Sequence, residues 1–516
     1  MAKLTEYLFY AFIFLLPWQT VFLLREPIIG GEKWQYGTIG VYLADIILVV
    51  WIVLVLGRKF RKVNPKSKIT NPNQIQNPKF KTKPKFPVTS YWLLVTSCLV
   101  LWSFVSILWS ADKTLAFYFS LKLLLGAGLF LALREVKINW RKIVFVFLAA
   151  AVLQSALAIG QFAFQGGFSS KWLGMNNYES WQGGVSVLEN EEGRWLRAYG
   201  SLPHPNILGG YLALVFIAGL YFLSSNHRGG INYGNIKIIK KRANFQFSIF
   251  NFQSIFNDLI SKGRKLDLPL WKRGKASAAK QGDLKSDDRT IKLFVLTSLL
   301  IILLGIFLTF SRSAWLALAV GIIFLGVAIW PRTARSESEQ PARQSFIKLL
   351  LIFSLAGIVF ASVNHKNFST RFDAGKRLEQ KSISERSLYF NQAREIIKEN
   401  FWLGTGAGNY TLAVFQSTFA FASADKKNEI KNPIWQYQPV HNVFALIWAE
   451  LGIVGLILFL AILVLLLIQS NPQFYLLLST CCFLLLFDHW LWTTHFGILL
   501  FWLIVGLAMK PKLQSK

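Results

Sequence analysis

Charge, acid and cysteine are all scarce in this 516-residue chain. Only 16% of its residues are Asp, Glu, Lys or Arg, against 53% that are hydrophobic. The apolar residues stand in blocks of about 20, the length that crosses ~30 Å of hydrocarbon at ~1.5 Å per residue. That pooling excludes a soluble globular enzyme and a disordered scaffold. Acids number 26 against 56 bases, a formal net charge of +30. In a soluble chain such an excess would suggest nucleic acid, but here the bases collect in alternate loops, as in membrane proteins. The three cysteines, Cys98, Cys481 and Cys482, lie inside apolar blocks and offer neither a disulfide framework nor metal-ligand spacing. Asp-x-Asp spacing is missing, and the one adjacent pair, Asp287-Asp288, falls in a basic insertion.

What is present predicts an all-α, polytopic membrane protein of about 12 spans. They are expected at 4–24, 39–57, 91–109, 114–133, 142–164, 206–224, 293–310, 314–330, 348–363, 441–468, 474–488 and 494–509. The first reads as a retained signal anchor. Segment 58–88 holds ten Lys/Arg and no acid, and 134–142, 331–347 and the tail are also basic. The alternate connections 25–38 and 110–113 hold only Arg25, Lys33 and Lys113. Both termini are therefore expected in the cytoplasm, with the chain in the cytoplasmic membrane. Four stretches are expected: N-terminal spans 1–205, central spans 206–363, a large outer loop 364–440 and C-terminal spans 441–516. The low-complexity insertions 58–88 and 225–291 read as solvated cytoplasmic decoration. In the outer loop, Ser382-Ile383-Ser384-Glu385 has capping-box spacing. Tyr389, Ala393, Ile396 and Ile397 then make one apolar stripe. An amphipathic helix of about 16 residues along the outer membrane boundary is expected there, broken by Gly404, Gly406 and Gly408.

Unusual polar residues converge on the outer side. His204 lies in Pro203-His204-Pro205-Asn206, where it either caps a helix or faces a ligand. Arg312 occupies a tight outer turn, against the charge bias of that face. His441-Asn442 opens the tenth span, and Glu450 lies deeper in it, where a carboxylate needs a polar cavity or a partner. Asp45 and the Asp488-His489…His495 group are weaker signals; the latter group is expected to form an interfacial hydrogen-bond cluster rather than a metal site. Gly404-Thr-Gly-Ala-Gly-Asn409 lacks the Walker Lys-Ser/Thr and a preceding strand, so it reads as a turn. Arginine forks hold phosphate oxygens bidentately, and histidine can accept a proton near neutrality. Outside the cytoplasm an activated group must arrive already attached to lipid, which fits a polyprenyl pyrophosphate carrying a glycan.

At these residues the chain resembles the bacterial O-antigen ligase/polymerase superfamily. The resemblance rests on RAYGSLPHPNILGGYLAL (197–214), LTFSRSAWLALAVG (308–321), FWLGTGAGNYTL (401–412) and HNVFALIWAELGIVGL (441–456), which occur in the family's order across roughly 190–470. It implies a metal-independent, inverting transfer of a lipid-pyrophosphate-linked glycan to an outer acceptor, with no cofactor. By match, Arg197 and Arg312 would hold the pyrophosphate and His441 would serve the acceptor. Arg371, Arg377 and Arg386 would close over the glycan or its phosphates, and His204, Asn206, Asn442 and Glu450 complete the expected substrate-binding set. Expected partners are the polyprenyl-pyrophosphate-linked donor, a glycan, lipid or protein acceptor, and membrane lipid, with no nucleic acid. Two alternatives stay open: a lipid-linked glycan flippase or transporter, and a protein O-glycosylating transferase. Peptidoglycan-polymerase relatives would centre on an outer carboxylate instead. The Glu189, Glu191 and Glu192 cluster is read as a solvated turn or as arginine partners rather than a cation site.

The loop asymmetry has a direct test. Thr70→Cys and Ile260→Cys should react with an impermeant thiol reagent only after the cell is permeabilised, and Ser180→Cys and Ala420→Cys without it. Labelling of position 420 only from the cytoplasm would reverse the orientation.

Overall fold

The computed structural model describes residues 2–29, 32–63, 89–225, 278–329, 340–420, 437–471 and 474–509. Most of the low-complexity sequence, 64–88 and 226–277, lies outside them, as do 421–436 of the outer loop. The N-terminal half contains α1 (Ala2–Leu15), α2 (Leu43–Val63), α3 (Thr89–Val105), α4 (Lys113–Glu135), α5 (Trp140–Phe164) and α6 (Pro205–Ser225). α7 (Ala278–Leu308), α8 (Arg312–Ile329) and α9 (Gln340–Val363) follow, then the shorter α10 (His365–Thr370), α11 (Arg377–Glu399) and α12 (Tyr410–Ala420). The chain returns to the bundle in α13 (Val443–Gln469), α14 (Tyr475–Phe487), α15 (Trp490–Thr493) and α16 (His495–Ala508). Helix starts follow their capping residues. Asp112, Asn139, Asn442 and Thr494 each accept a first-turn N–H of the helix that follows.

Among the described residues, seven helices are long and apolar enough to cross a membrane, and three shorter apolar ones accompany them. The protein is thus a mostly helical, multi-pass membrane protein. The count of 12 spans is not reached by this criterion: the expected eighth, eleventh and twelfth spans are the three shorter helices, and the first two are in neither group. The helix of the first span stops at Leu15 rather than running to 24, since Pro17 has no N–H to donate. The chain then forms a ribbon of β1 (Val21–Arg25) with β4 (Ile39–Tyr42), so the second span also starts later, at Leu43. β2 (Ile28–Ile29) pairs with β3 (Glu32–Lys33), and β5 (Val187–Asn190) with β6 (Gly193–Leu196). All-α is therefore correct for the spans but not for these connections.

The amphipathic helix also departs from its expected bounds. α11 has 23 residues and starts at Arg377, after a turn in which Asp373 accepts the Gly375 N–H. Ser382 lies inside the helix, so the capping-box spacing is unused. The apolar stripe is as expected, with Tyr389, Ala393 and Ile396 buried.

α6 is the central element, its whole apolar window buried among α5, α7, α8 and α14. α16 packs along α4, where Gly126 leaves room for the Trp502 ring, and α13 packs on α3. α9 is only 17% buried and presents Leu351, Leu355, Ile358 and Val359 outward, a surface suited to lipid. The three ribbons, the 309–311 turn and the chain around α10, α11 and α12 gather at one end. They are tied there by Arg25–Asp112 (2.7 Å), Asn190–Asn367 (2.8 Å) and Arg377–Glu189 (2.6 Å).

One charged cluster sits inside the bundle. Lys122 of α4 pairs with Asp45 of α2, and the His495 Nδ1 of α16 lies 3.3 Å from the Lys122 Nζ and 3.2 Å from Asp45. Tyr42 stacks on His495 at 3.9 Å, and the Lys122 ammonium sits over the Tyr118 ring. All three charged or titratable side chains are buried. Removing one partner of a buried pair strands the other and costs about 3–5 kcal/mol, whereas replacing both with apolar groups costs far less. Lys122→Ala or Asp45→Ala alone should therefore lower the melting temperature in detergent more than a Lys122→Met/Asp45→Leu double variant does. A double variant at least as unstable as either single one would refute this account.

Candidate active site

The site grows out of the way α7 ends. Its last carbonyls have no partners within the helix. The chain reverses through Phe310, which takes a left-handed φ of 46° and is held there by packing against Phe162, Trp315 and Phe360. The exposed carbonyls recruit donors from elsewhere. The Ala198 N–H donates to Leu308, Arg197 Nε to Thr309 (2.7 Å), and Arg371 Nε to Phe310 (3.1 Å). Arginines are well suited to this end of a helix, where the backbone dipole is negative. Arg312 then opens α8 from the same turn.

Two buried glutamines of α5 fix the approach to Arg197. Gln161 accepts the N–H groups of Tyr199 and Gly200 and donates to the Gly200 carbonyl. Gln154 bonds Ser201 in the same manner, through both its backbone and its hydroxyl. Arg197 is therefore held on neutral acceptors only, adding Ser186 Oγ (2.7 Å) and Asn206 Oδ1 (2.9 Å). Burial pulls it well below its ordinary value, and Arg371 and Arg312 add to the effect. A nearby anion would relieve both penalties.

Glu379, on the first turn of α11, serves two arginines. Arg371 donates to one carboxylate oxygen, and Arg312 Nη2 lies 2.9 Å from the other, in Coulombic contact but out of line for a hydrogen bond. Arg312 also donates to the Arg371 carbonyl (3.3 Å). Arg386, further along α11, is held down first by burial, is repelled by Arg312 and is attracted by Asp488. Four guanidinium groups thus face two carboxylates, Glu379 and Asp488. The imbalance favours an anion carrying more than one charge.

Asp488 links this positive side to three histidines. Arg197 donates to Asn206, whose Nδ2 reaches Asp488 at 3.3 Å. Burial works against the Asp488 charge, while the His489 N–H and the Asn206 amide donate to the carboxylate. Burial depresses His204 and His489 to about 3 and lowers His441 as well, although Asp488 works to raise His441. All three rings are therefore neutral near pH 7. The His441 ring lies 5.9 Å from Tyr389 and parallel to it, 5.1 Å from His489, and among the described residues its buried Nδ1 has no hydrogen-bond partner. One ligand atom from each of His441, Asp488 and His489 falls within 4.8 Å of the others, a spacing that a divalent cation could bridge.

Of the expected site residues, the structure brings together Arg197, Arg312, Arg371, Arg386, His204, Asn206 and His441. Three others take structural bonds. Arg377 spends its fork on Glu189, and Lys366 pairs with Glu192, so these two glutamates are partners for bases. Asn442 caps α13 and donates to the Leu486 carbonyl. Glu450 accepts from Trp492 Nε1 (2.9 Å) and from the N–H groups of Gly408 and Tyr410, which makes it a cap for the start of α12. The turn 404–409 belongs to the same arrangement. α13 is broken at Gly452 (φ +67°), where a Cβ would lie 2.0 Å from the Trp402 carbonyl. The freed carbonyls of Ala449 and Glu450 accept from Thr405 and Gly406, and the Ile453 N–H donates to Phe401. Sequence reasoning missed Glu379, Tyr389 in its contact with His441, and the central place of Asp488. Glu379 carries no motif, and Asp488 had the adjacent His489 as its one signal.

Fold and site thus define a multi-pass membrane protein with an arginine-rich, histidine-containing centre at one end of its bundle. Residues 297–460 match the family model described as O-antigen ligase, which supports the O-antigen ligase superfamily over that segment. The match contains Arg312, Arg371, Glu379, Arg386 and His441, while Arg197, Asn206 and Asp488 lie outside it. No curated protein matches the chain.

Arg312→Lys keeps the charge but loses the planar fork that spans Glu379 and the Arg371 carbonyl. Losing a charge-assisted bond of about 1.5–3 kcal/mol should weaken inorganic pyrophosphate binding roughly 10- to 100-fold, with the protein still inserted. Calorimetry on detergent-solubilised protein measures this, and unchanged affinity would remove Arg312 from the anion site.

Proposed function

We propose that this protein transfers a glycan from a polyprenyl-pyrophosphate donor to an acceptor at the outer face of the cytoplasmic membrane, by inversion and without a metal. The observation that carries this reading is the hydrogen-bonded path from Arg197 through Asn206 to Asp488, with His441 within 4.8 Å of that carboxylate, so that the arginine excess lies at one end and neutral imidazoles at the other. The basic segments 58–88, 134–142 and 331–347 alternate with the connections that build the site, and the positive-inside bias supports an outer position for it. Nucleotides are absent there, so a lipid-linked diphosphate is the fitting activated donor.

In the step proposed, neutral His441 accepts the proton of an acceptor hydroxyl as its oxygen bonds the anomeric carbon. The bond from that carbon to the phosphate oxygen breaks on the opposite face, and the lipid pyrophosphate leaves. Asp488 stabilises the imidazolium that forms. Arg197, Arg312, Arg371 and Arg386 stabilise the charge growing on the leaving group, where fixed positive groups accelerate reaction. The acceptor can be a growing polysaccharide, a lipid core or a protein. A flippase or transporter is the second reading; it is disfavoured because the polar residues collect at one end of the bundle rather than midway.

Purified protein in liposomes, given donor and candidate acceptors but no ATP or gradient, should form product. Turnover should persist in excess EDTA, and loss restored by Mg²⁺, Mn²⁺ or Zn²⁺ would move the chemistry to a cation on His441, Asp488 and His489. His441→Ala should abolish turnover and leave donor binding nearly unchanged. Because burial lowers His441, the acid limb of the rate profile should fall below the ordinary histidine value of about 6.5.

A further inference from the structure

The ribbon that replaces the end of the first expected span delivers a side chain to the centre. Tyr36 sits on a single 3-10 turn, Gln35–Gly37. Trp34 is 3% exposed and fills the space where a Cβ on Gly37 would fall 2.0 Å from its ring. Trp34, Ile39 and Leu115 form a small core of their own, with Tyr118, Leu412 and Phe415 packed around it. This core pins the turn to α4 and α12, and the Arg25–Asp112 pair fastens the ribbon a second time.

Held in this way, the Tyr36 ring meets the edge of His489 at 6.1 Å. His489 meets His441 at 5.1 Å, and His441 faces Tyr389 at 5.9 Å. Four rings therefore run in sequence past the proposed base. The titratable groups that act on Tyr36 are Tyr389 and Asp488, and no arginine is among them. Burial keeps the phenol protonated, with Tyr389 and Asp488 reinforcing the effect, and its hydroxyl makes no hydrogen bond among the described residues.

We infer that Tyr36 contacts the acceptor: with Tyr389 it walls the position beside His441, and its hydroxyl donates a hydrogen bond to an oxygen of an acceptor sugar. A sugar ring suits this position because its polarised C–H faces complement the negative faces of aromatic rings, while its hydroxyls meet the phenol and imidazoles. The inference rests on the glycosyltransferase reading and adds to it a residue outside the matched family segment.

The test uses the full chain in liposomes with Tyr36→Phe and Tyr36→Ala. It follows transfer to a sugar acceptor, transfer to a Ser/Thr peptide, and donor hydrolysis by water, which needs no acceptor. Tyr36→Phe keeps the ring packing and removes one hydrogen bond, so the KM for the sugar acceptor should rise about tenfold. Its kcat and donor hydrolysis should stay within about twofold. Tyr36→Ala should raise that KM further. A purely structural role would depress donor hydrolysis and acceptor use together, and that outcome overturns the assignment. An acceptor KM unchanged in both variants overturns it as well, and wild-type transfer to the peptide alone overturns the sugar class. A wild-type protein that forms no product at all refutes the glycosyltransferase reading and this inference with it.

Discussion

Backbone groups released inside an apolar bundle must find new partners, because hydrocarbon offers none and each unsatisfied group costs several kcal/mol. Two helix discontinuities in this protein meet that demand, and most of the site is built from their solutions. At Gly452 the break in α13 is satisfied by the chain at 401–406, which fixes where α11 ends and where α12 begins. Beyond Leu308 the carbonyls at the end of α7 are satisfied by Arg197, Ala198 and Arg371. The second solution brings guanidinium groups from distant segments to one turn. Their placement follows from backbone satisfaction as much as from any ligand.

Electrostatics then sets the character of the centre. Glu379 neutralises part of the arginine cluster while spacing Arg312 and Arg371, and Arg197 is left on neutral acceptors. Asp488 is the other carboxylate within reach, and it faces the histidines as well as Arg386. Positive charge is thus fixed in advance on one side and a neutral proton acceptor on the other. A reaction that expels a diphosphate and takes a proton from a hydroxyl needs that division.

Much of this was legible along the chain. The spans followed from apolar blocks of membrane length, and the loop asymmetry followed from Lys and Arg counts. Arg312 stood out against the charge bias of its face and Glu450 as a costly charge inside a span, while Arg197 was reached only through the family resemblance. The apolar stripe of α11 was readable at helical spacing, although the start of the helix was not. Ser382–Glu385 has the spacing of a cap, but the turn at Asp373 supplies the actual beginning. The first span was misjudged for a related reason: a run of Val, Phe and Leu suits a strand as well as a helix, and Pro17 decided between them.

The amino-acid sequence by itself determined that this is a helical membrane protein with an arginine- and histidine-bearing end, because burial in lipid writes itself into composition and periodicity. Only the tertiary structure decided which of those residues come together. Arg377, Asn442 and Glu450 look equivalent to Arg371, Asn206 and Asp488 as isolated letters, yet the first three are consumed by Glu189, by the start of α13 and by the start of α12. Glu379 and Tyr36 carry no local signature at all. Their roles arise from contacts between segments far apart in the chain, and no local pattern encodes a contact whose partner lies hundreds of residues away.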